Sequence, residues 1–545
     1  MPGIVLSGLC VASFGCHDRA SDASALRATR LKIKVVDAQT GALLPALVTF
    51  RDSGGLPVKF GNFTDLPAWG QAESAKELDP KRPGVFAFLH GLAFWKGEGT
   101  VMVGKPWTHR DVSGKTMTQS QVPFGNLELE VTHGPEFDSY VTRVDVSPDR
   151  GEVSLVVPLQ RTVDSAEYIS ADLHVHNKPE SNDSGTDPSS QLKVSAVNGL
   201  DVVVLSNHDA LLDPAPLVAT LWPQATRPIV ALSGQEVGGP AGHFGVFPLP
   251  VDVRKPRGGA PAISSTAPSL FANVRALTSK PLLIVNHPRL GWSAYFDSGS
   301  CGDWAKGDLL TPPPCSQDFD GFEVLNAWQV CSSRIRVATD TWLALMRFGF
   351  VTAAVAGSDS HYTGGMVPGY PRTWIRAKQG GDAKMNMAAL VDGVRARRTS
   401  ASTAALLSLR VGAIGEGEFL STNAPAITVA VRVQAANWVS VQTARLLVDG
   451  QVVESWTIGS EGKAIDFRKD AVVQLPAADA ALTLETDSAA ILPPQLVGQY
   501  TSALEYGRSK CVPRAGEEPG MPAFATTSPI LIDRDNDGLF RGRKL

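Results

Sequence analysis

The residues best suited to chemistry are histidines and acids that end apolar runs in the middle of the chain. Six of the ten histidines lie between residues 174 and 361. In the motif DLHVH, His174 and His176 are two residues apart, so on a β-strand both imidazoles point to one face, as two ligands of one metal would. Later apolar runs end in further imidazoles and carboxylates: His208, Glu236, His287, Asp359 and His361.

This combination of side chains predicts a metal centre. A single strand-end histidine is more often an ordinary surface or core residue, but the same placement at five strand ends is hard to obtain by accident. Neutral imidazole and carboxylate suit Zn, Mn or Fe, and the absence of closely spaced cysteines argues against a purely structural zinc. Paired metals about 3.5–4 Å apart can clamp a hydroxide and polarise the attacked oxygen.

The elements that must position these residues alternate between strands and helices. From Ser165 to about Ser402, near-continuous apolar runs such as GLDVVVLS, RPIVALSG, KPLLIVNH, FDGFEVLN and FVTAAVAG are typical of parallel strands buried on both faces. Segments such as LKVSAVNG and ATDTWLALMRFG fit the intervening helices. Repeated strand–helix units predict an α/β barrel, and the carboxyl ends of barrel strands converge on one mouth.

Both flanks of this region have β-strand patterns. Short runs such as LKIKVVD and LELEV before it, and AITVAVRVQ and QVVESWTI after it, are separated by turn signals. We therefore predict four parts: a leader and linker at 1–28, an N-terminal β-sandwich at 29–164, the barrel at 165–403 and a C-terminal β domain at 404–545.

The order DLHVH, SNHD, GQEV, GHFGVF, NHPR and GSDSH resembles the PHP (polymerase and histidinol phosphatase) domain. The resemblance covers Tyr168 to about Ser402 and implies a distorted seven-stranded (β/α) barrel with up to three metals. More weakly, THGPEFDSYV and ATTSPILIDRD in the flanks resemble the exported branch of the family that contains a carbaryl hydrolase.

The resemblance implies three adjoining metal sites. The first set is His174, His176, Glu236 and Asp359; the second is Glu236, His243 and His287, with Glu236 bridging; the third is Asp183, His208 and His361. Asn207 departs from the family pattern, which usually has Asp there, and this puts the affinity of the third site in doubt.

Other polar residues near these motifs have candidate roles. Besides Glu236, which would offset the metal charge, Arg289 is placed to bind an anionic oxygen and Asp209 to relay a proton. Glu323 would support the ligands from behind, and Tyr362 would line the pocket. The ordinary interpretations are a surface ion-pair partner for Arg289, a loop cap for Asp209 and simple packing for Tyr362.

Bulk composition restricts the class of protein. A net charge of −4 gives no broad basic field for nucleic acid, and no apolar run is long enough to span a bilayer. Residues Ile4 to Phe14 resemble the apolar part of a secretion signal, although no basic residue precedes them. Ser13-Phe14-Gly15-Cys16 resembles a bacterial lipoprotein cleavage box, which predicts export and a lipid anchor at Cys16.

The cysteines and the C-terminal acids give two further expectations. Cys301, Cys315, Cys331 and Cys511 allow three pairings, and the Gly/Pro-rich loop between the first two favours a local disulfide. Asp533, Asp535, Asp537 and Gly538 match the first half of a calcium loop, but Lys544 stands where a bidentate acid is expected. An Asx-rich turn that ends a strand is the plainer account of the acids.

We therefore expect an exported hydrolase in which a metal-bound hydroxide cleaves phosphate esters of a small molecule. A carboxyl-ester or carbamate hydrolase is the first alternative, because of the flanking resemblance. A surface binding protein with an inactive barrel is the second, and the apparently full ligand set argues against it. A proofreading nuclease is disfavoured by the absence of a basic groove.

Overall fold

A computed structural model describes residues 28–58, 85–88, 91–104, 107–110, 116–119, 122–148, 150–223, 228–261, 266–329, 332–362, 366–377, 387–459, 462–497 and 520–542. The predicted leader, its anchor at Cys16, Cys331 and Cys511 lie outside these residues. None of the helices within them is long and apolar enough to cross a membrane.

The N-terminal part is formed by strands packed around their own core. Its strands are β1 (Thr29–Asp37), β2 (Ala46–Arg51), β3 (Val85–Phe88), β4 (Gly91–Phe94), β5 (Glu98–Val103), β6 (Trp107–Arg110), β7 (Thr116–Gln119), β8 (Gly125–Thr132), β9 (Tyr140–Val146) and β10 (Glu152–Leu159). They form sheets in the orders β10-β1-β5 and β3-β4-β2-β8-β9, and a β6-β7 pair. In β1, buried and exposed residues alternate, so Leu31, Ile33 and Val35 face the core.

In the middle of the chain, one sheet curls into a barrel. Its strands are β11 (Tyr168–Val175), β12 (Val202–His208), β13 (Val230–Val237), β14 (Phe244–Phe247), β15 (Leu282–Val285), β16 (Gly321–Asn326) and β17 (Ala353–Gly357), hydrogen-bonded in that order. The last strand returns to the first, because the amide of His176 donates to the carbonyl of Ser360 at 3.0 Å and that of Asp359 to His174 at 2.8 Å. β14 is antiparallel to both neighbours, a departure from the expected parallel arrangement.

Helices and two further strands complete this region. The helices are α1 (Pro188–Val197), α2 (Ala215–Leu221), α3 (Ala267–Arg275), α4 (Ser332–Arg347) and α5 (Met387–Arg395). β18 (Arg372–Arg376) pairs antiparallel with the amino-terminal half of β11, and β19 (Thr399–Ser402) pairs antiparallel with β18. The sheet therefore continues past the barrel on the β11 side.

An apolar cluster fills the inside of the barrel. It includes Val204 of β12, Leu232 of β13, Ile284 of β15 and Val355 of β17, and Leu390 of α5 belongs to the same cluster. Residues two or four apart on a strand share a face. The side chains that follow these apolar residues at even spacing therefore stand above the cluster, at the carboxyl ends of the strands.

The C-terminal part is β-rich and continuous with the barrel sheet. Its strands are β20 (Leu406–Val411), β21 (Ile414–Gly415), β22 (Phe419–Ser421), β23 (Ala426–Ala435), β24 (Thr443–Val448), β25 (Gln451–Thr457), β26 (Ile465–Gln474), β27 (Ala480–Asp487), β28 (Ala525–Thr527) and β29 (Ile530–Asp533), with a short helix α6 (Pro494–Val497). One sheet has the order β21-β20-β23-β26. β28 joins β27 to β19, so the sheet runs across the expected boundary at residues 403–404.

A disulfide closes the long loop between β15 and β16. Cys301 and Cys315 are bonded and buried, which confirms the pairing favoured by the loop sequence. Arg289 anchors the same loop: it donates to the carbonyls of Phe296 and Trp304 at 2.9 and 2.6 Å. Loop geometry next to the barrel mouth is therefore held by covalent and hydrogen bonds.

Candidate metal centre

The structure brings all nine predicted ligands to the carboxyl end of the barrel. Their donor atoms form four overlapping groups, each with atoms within 4.8 Å of one another. The groups are His174, His176 and Glu236; His174, His287 and Asp359; His208, Glu236 and His243; and His176, Asp183, His208 and His361. The membership differs from the expected partition, because His208 lies with Glu236 and His243 as well as with Asp183.

The arrangement of His174 and His176 at the end of β11 suits two ligands of one metal better than a hydrogen bond between the rings. The Nε2 atoms of His174 and His176 are 3.0 Å apart. Their Nδ1 atoms contact Glu323 Oε1 and Ser181 Oγ, each at 3.0 Å, which leaves both Nε2 lone pairs directed at one point. Two nitrogens bound to one tetrahedral zinc at 2.0–2.1 Å would lie about 3.3–3.4 Å apart, a few tenths of an ångström more than the observed separation. The donor set therefore suits a divalent ion.

Glu236 lies at the centre of the cluster. Its Oε1 is 3.1 Å from both His174 Nε2 and His287 Nε2. Its Oε2 is 3.3 Å from Nδ1 of His208 and 3.3 Å from Nδ1 of His243. A carboxylate with imidazoles on both oxygens can bridge two ions, which is the arrangement that the family resemblance implied.

Asp359 and Asp183 supply the other two carboxylates. Oδ1 of Asp359 is 3.3 Å from Nε2 of both His174 and His176. Oδ2 of Asp183 is 3.1 Å from His208 Nε2 and 3.2 Å from His361 Nε2. Asp183 therefore lies beside His208 and His361, the two residues with which the resemblance groups it.

Acids and imidazoles alternate in the cluster, and each shifts the pKa of its neighbours. Burial alone would lower the pKa of His174, but the carboxylates of Asp359 and Glu236 raise it well above its usual value. Burial would raise the pKa of Glu236, but His174 and His243 hold it well below its usual range. Burial, followed by the charge of His361, lowers the pKa of His176 to about 3.

A second set of polar side chains fixes the ligands. Glu323 is 2% exposed and accepts from the backbone amide of His287 at 2.6 Å, in addition to its contact with His174. Sequence analysis therefore placed Glu323 correctly behind the ligands. Such partners set the tautomer and the orientation of a ligating imidazole.

Two further supporting residues were missed from the sequence. Asn286 Nδ2 donates to Glu236 Oε1 at 2.9 Å. Ser181 Oγ contacts His176 and also accepts from the amide of His208 at 2.9 Å. The position of Asn286, directly before His287 at a strand end, could have indicated its supporting role from the sequence. Ser181 lies in a loop, and no sequence pattern pointed to it.

Backbone strain is concentrated at the cluster. The φ values of His287, Asp359 and Asp209 are 25°, 52° and 52°, in the left-handed region that residues other than glycine rarely adopt. At Gly357, an added Cβ would come within 2.5 Å of His174 Cβ and 2.6 Å of Glu323 Oε1. Glycine there permits the close approach of β17 to the ligand and its support.

The structure contradicts the role predicted for Arg289. Its Nε donates to Thr341 Oγ1 and its Nη1 to Asp297 Oδ1 and two loop carbonyls, so these donors are used inside the protein. The residue is only 5% exposed. The expectation that Arg289 binds a substrate oxygen is wrong for Nε and Nη1, because both nitrogens already donate to groups inside the protein and anchor the loop.

Asn207 has a structural role that an aspartate could not fill. Its Oδ1 accepts from the amide of Asn177 at 2.8 Å, while its Nδ2 donates to Asn177 Oδ1 at 3.1 Å. The side chain is fully buried and joins the end of β12 to the loop after β11. Asn207 therefore forms a structural contact with Asn177 and does not belong to the ligand cluster.

One end of the cluster is open to solvent. The side chains of Asp183 and His208 are 30% and 25% exposed, whereas His174 and Glu236 are each 1% exposed. Asp209 lies next to His208, and burial raises its pKa. Tyr362 reaches this end as well, where its hydroxyl donates to the carbonyl of Asp183 at 3.1 Å. A substrate would therefore enter on the Asp183–His208 side.

No protein-family model and no curated protein matches the chain. Among solved structures, it is similar to a two-domain protein from Bacteroides vulgatus described as containing a predicted PHP-like metal-dependent phosphoesterase: 16% identity, TM-score 0.33, covering 60% of this chain and 92% of that one. It is also similar to endonuclease Q in complex with a 27-mer duplex bearing an abasic lesion (13%, TM-score 0.27) and to the lesion-specific endonuclease of Pyrococcus furiosus (14%, 0.28). Each of those two matches covers 42% of this chain and 56% of the other. At these low scores, the cluster itself is the evidence for function.

Proposed function

We propose that the protein is a metal-dependent hydrolase of the PHP type that cleaves phosphate esters. The observation that carries the proposal is the convergence of nine imidazole and carboxylate side chains on one barrel mouth, with Glu236 shared between groups. Bound divalent ions would supply an activated water and would polarise the bond under attack. The PHP assignment is supported by the order of the motifs and by the return of β17 to β11.

The residues of the chain would hold and orient this centre. Glu323 keeps His174 in the tautomer whose Nε2 is free to bind, and Ser181 contacts Nδ1 of His176. The disulfide between Cys301 and Cys315 and the anchor at Arg289 hold the loop beside the mouth. Such preorganisation places a substrate without a conformational cost at the moment of reaction.

Charge favours a phosphate ester over a neutral carbamate. The ligand carboxylates Glu236, Asp359 and Asp183 carry three negative charges, and Glu323 adds a fourth. Three divalent ions would bring six positive charges and leave the filled site net positive by about two, whereas two ions would only balance the four carboxylates. A positive, largely desolvated site stabilises an anionic substrate, whereas a neutral carbonyl group would gain less from it.

Asp209 is the residue we propose for proton transfer. It follows the ligand His208 at the open end of the site, and burial raises the pKa of its carboxyl group, so a proton is held more readily. In hydrolysis, a water oxygen bonds to phosphorus, the phosphorus–oxygen bond of the ester breaks, and the departing alkoxide needs a proton. Asp209 would take a proton from the water and give it to the departing alkoxide, which leaves as the alcohol.

Location and partners are also part of the proposal. The apolar leader and the box ending in Cys16 support an exported bacterial protein with a lipid anchor, acting on a small-molecule substrate and not on nucleic acid. Mass spectrometry of the mature N-terminus from membrane fractions tests this. A diacylated Cys16 is expected, and an intact leader in the soluble fraction would contradict it.

The first experiment is elemental analysis of purified protein. We expect two or three Zn, Mn or Fe ions per chain, and their loss in the His174→Ala, His176→Ala double variant. His133→Gln is the matched control, because His133 lies outside the cluster in the N-terminal part. Little metal in the wild type, even after reconstitution, would remove the basis of the proposal and favour a binding protein with an inactive barrel.

A substrate panel then decides the reaction. Phosphate monoesters and diesters should turn over and lose turnover on chelation. Cleavage of only carboxyl esters or carbamates would replace the phosphoesterase assignment with the first alternative. Measurable exonuclease activity would instead favour the nuclease interpretation.

A further inference from the structure

A second acidic cluster lies in the C-terminal β layer. Asp479 precedes β27, Asp533 ends β29, and Asp535 follows two residues later. One carboxylate oxygen from each lies within 4.8 Å of the others. The cluster contains no imidazole, which separates its chemistry from that of the barrel mouth.

Asp533 gives an independent sign that a ligand belongs here. The side chain is fully buried, and its Oδ2 accepts from Ser421 Oγ at 2.7 Å and from the amide of Gly538 at 3.0 Å. Its Oδ1 is buried and has no hydrogen-bond partner among the described residues. A buried carboxylate oxygen without a partner is costly, so the native protein has reason to satisfy it.

Asp479 accepts from the backbone amides of Arg534 at 2.9 Å and Arg541 at 3.1 Å, but no positive side chain among the described residues neutralises Asp479 or Asp533. Arg541 pairs with Asp535 at 3.2 Å and with Asp537. The guanidinium of Arg534 donates instead to backbone carbonyls, including that of Thr422 at 2.7 Å. Within the described part of the chain, neither Asp479 nor Asp533 forms an ion pair.

We propose that Asp479, Asp533 and Asp535 bind a calcium ion. Calcium prefers hard oxygen ligands at 2.3–2.6 Å and accepts irregular coordination, so a set made only of carboxylate oxygens suits it. Magnesium, at 2.0–2.1 Å, needs a tighter cage. The calcium-like sequence lacks an acid at its twelfth position, and Asp479, from the loop between β26 and β27, supplies a carboxylate from outside that sequence.

The ion would hold the end of the chain in place. β29 pairs with β22 and β27, and residues 540–542 then lie against the end of α4: an added Cβ on Gly542 would come within 2.5 Å of the carbonyl oxygen of Arg347. β28 links this layer to the barrel through β19. Calcium is therefore a structural ligand that fastens the C-terminal segment to the barrel.

The test is calorimetric titration of Ca²⁺ into the full chain, with its barrel metals bound, in calcium-free buffer. One equivalent should bind to the wild type, and Mg²⁺ should bind at least tenfold more weakly. Asp479→Asn and Asp535→Asn should each weaken Ca²⁺ binding at least tenfold. Asp145→Asn, an exposed acid on β9 with its own arginine partner, is the matched control and should bind like the wild type.

Thermal unfolding and a second set of variants complete the test. Saturating Ca²⁺ should raise the Tm of the wild type by about 2 °C or more, but not that of Asp479→Asn. The His174→Ala, His176→Ala variant should still bind one Ca²⁺, which separates this site from the barrel centre. Arg541→Gln should bind Ca²⁺ more tightly, because it removes a competing cation. Absence of Ca²⁺ binding in both wild type and Arg541→Gln, or unchanged binding in Asp479→Asn, would overturn the proposal.

Discussion

Replacing Glu323 with glutamine tests whether the cluster depends on a buried carboxylate behind its ligands. Glu323 Oε1 contacts His174 Nδ1 at 3.0 Å, while Oε2 accepts from the amide of His287 at 2.6 Å and from Asn326 Nδ2 at 3.0 Å. Both oxygens therefore face donors. An amide group has only one oxygen, so one of these contacts must be lost in either orientation of the glutamine.

Each orientation has a defined cost. If the new NH₂ faces His174, Nδ1 must become an acceptor, and the proton moves to Nε2, where it blocks metal binding. If the NH₂ faces His287, two N–H groups oppose each other in a buried position, which costs about 1–3 kcal/mol. Loss of such a supporting contact commonly lowers metal affinity by about 10–100-fold, equivalent to about 1.4–2.7 kcal/mol.

Chelator competition with Zn²⁺ or Mn²⁺ measures this change directly. We expect Glu323→Gln to fold, to bind metal about 10–100-fold more weakly, and to recover phosphoesterase activity at high metal concentration. Glu454→Gln, the same substitution at an exposed position on β25, is the control. Wild-type metal affinity in Glu323→Gln would refute the argument that this carboxylate sets the tautomer of His174.

Three further predictions concern the residues around the centre. Asn207→Asp should lower the free energy of unfolding by about 1–3 kcal/mol, because the new carboxylate faces Asn177 Oδ1. Urea denaturation measures this change, and unchanged stability would show that the amide pair is dispensable. Arg289→Gln should lower Tm and speed proteolysis of the loop between β15 and β16, because it removes the loop's anchor. Slower catalysis with wild-type Tm would instead support the predicted role of Arg289 in substrate binding. In the metal-free protein, burial would lower the pKa of His208, but the hydrogen bond that its imidazole donates to Asp183 and the charge of Glu236 raise it to about 9. Metal must displace that proton, so metal affinity should rise at least about tenfold per pH unit between pH 6 and 8 in competition titrations, and a flat profile would contradict this.

Much of the barrel was predictable because its strands carry a strong local signal. GLDVVVLS, RPIVALSG, KPLLIVNH, FDGFEVLN and FVTAAVAG correspond to β12, β13, β15, β16 and β17. Continuous apolar runs are typical of strands covered on both faces. Seven of the nine predicted ligands follow from the same pattern, since they occur where the apolar runs end, whereas Asp183 and His243 were implied only by the family resemblance.

Elements with a weak or mixed local pattern were missed. β14 is only four residues long and antiparallel, and β18 contains two arginines, so neither has the continuous apolar run of its neighbours. α2 is a seven-residue helix beginning beside two prolines. Such short elements are stabilised by the neighbours they pack against, which the local sequence does not contain.

Residue types and spacing indicate which side chains could bind metal or form a disulfide: imidazoles and carboxylates at strand ends, and the local cysteine pair. How these side chains combine depends on the folded chain. The approach of β17 to β11 sets the contacts of Asp359 with His174 and His176, and loop packing turns Arg289 away from the role its position suggested. Asp479 and Asp533 are 54 residues apart yet share one cluster. Periodicity determines the face on which a residue lies, but contacts between distant segments depend on register and packing, which only the folded chain fixes.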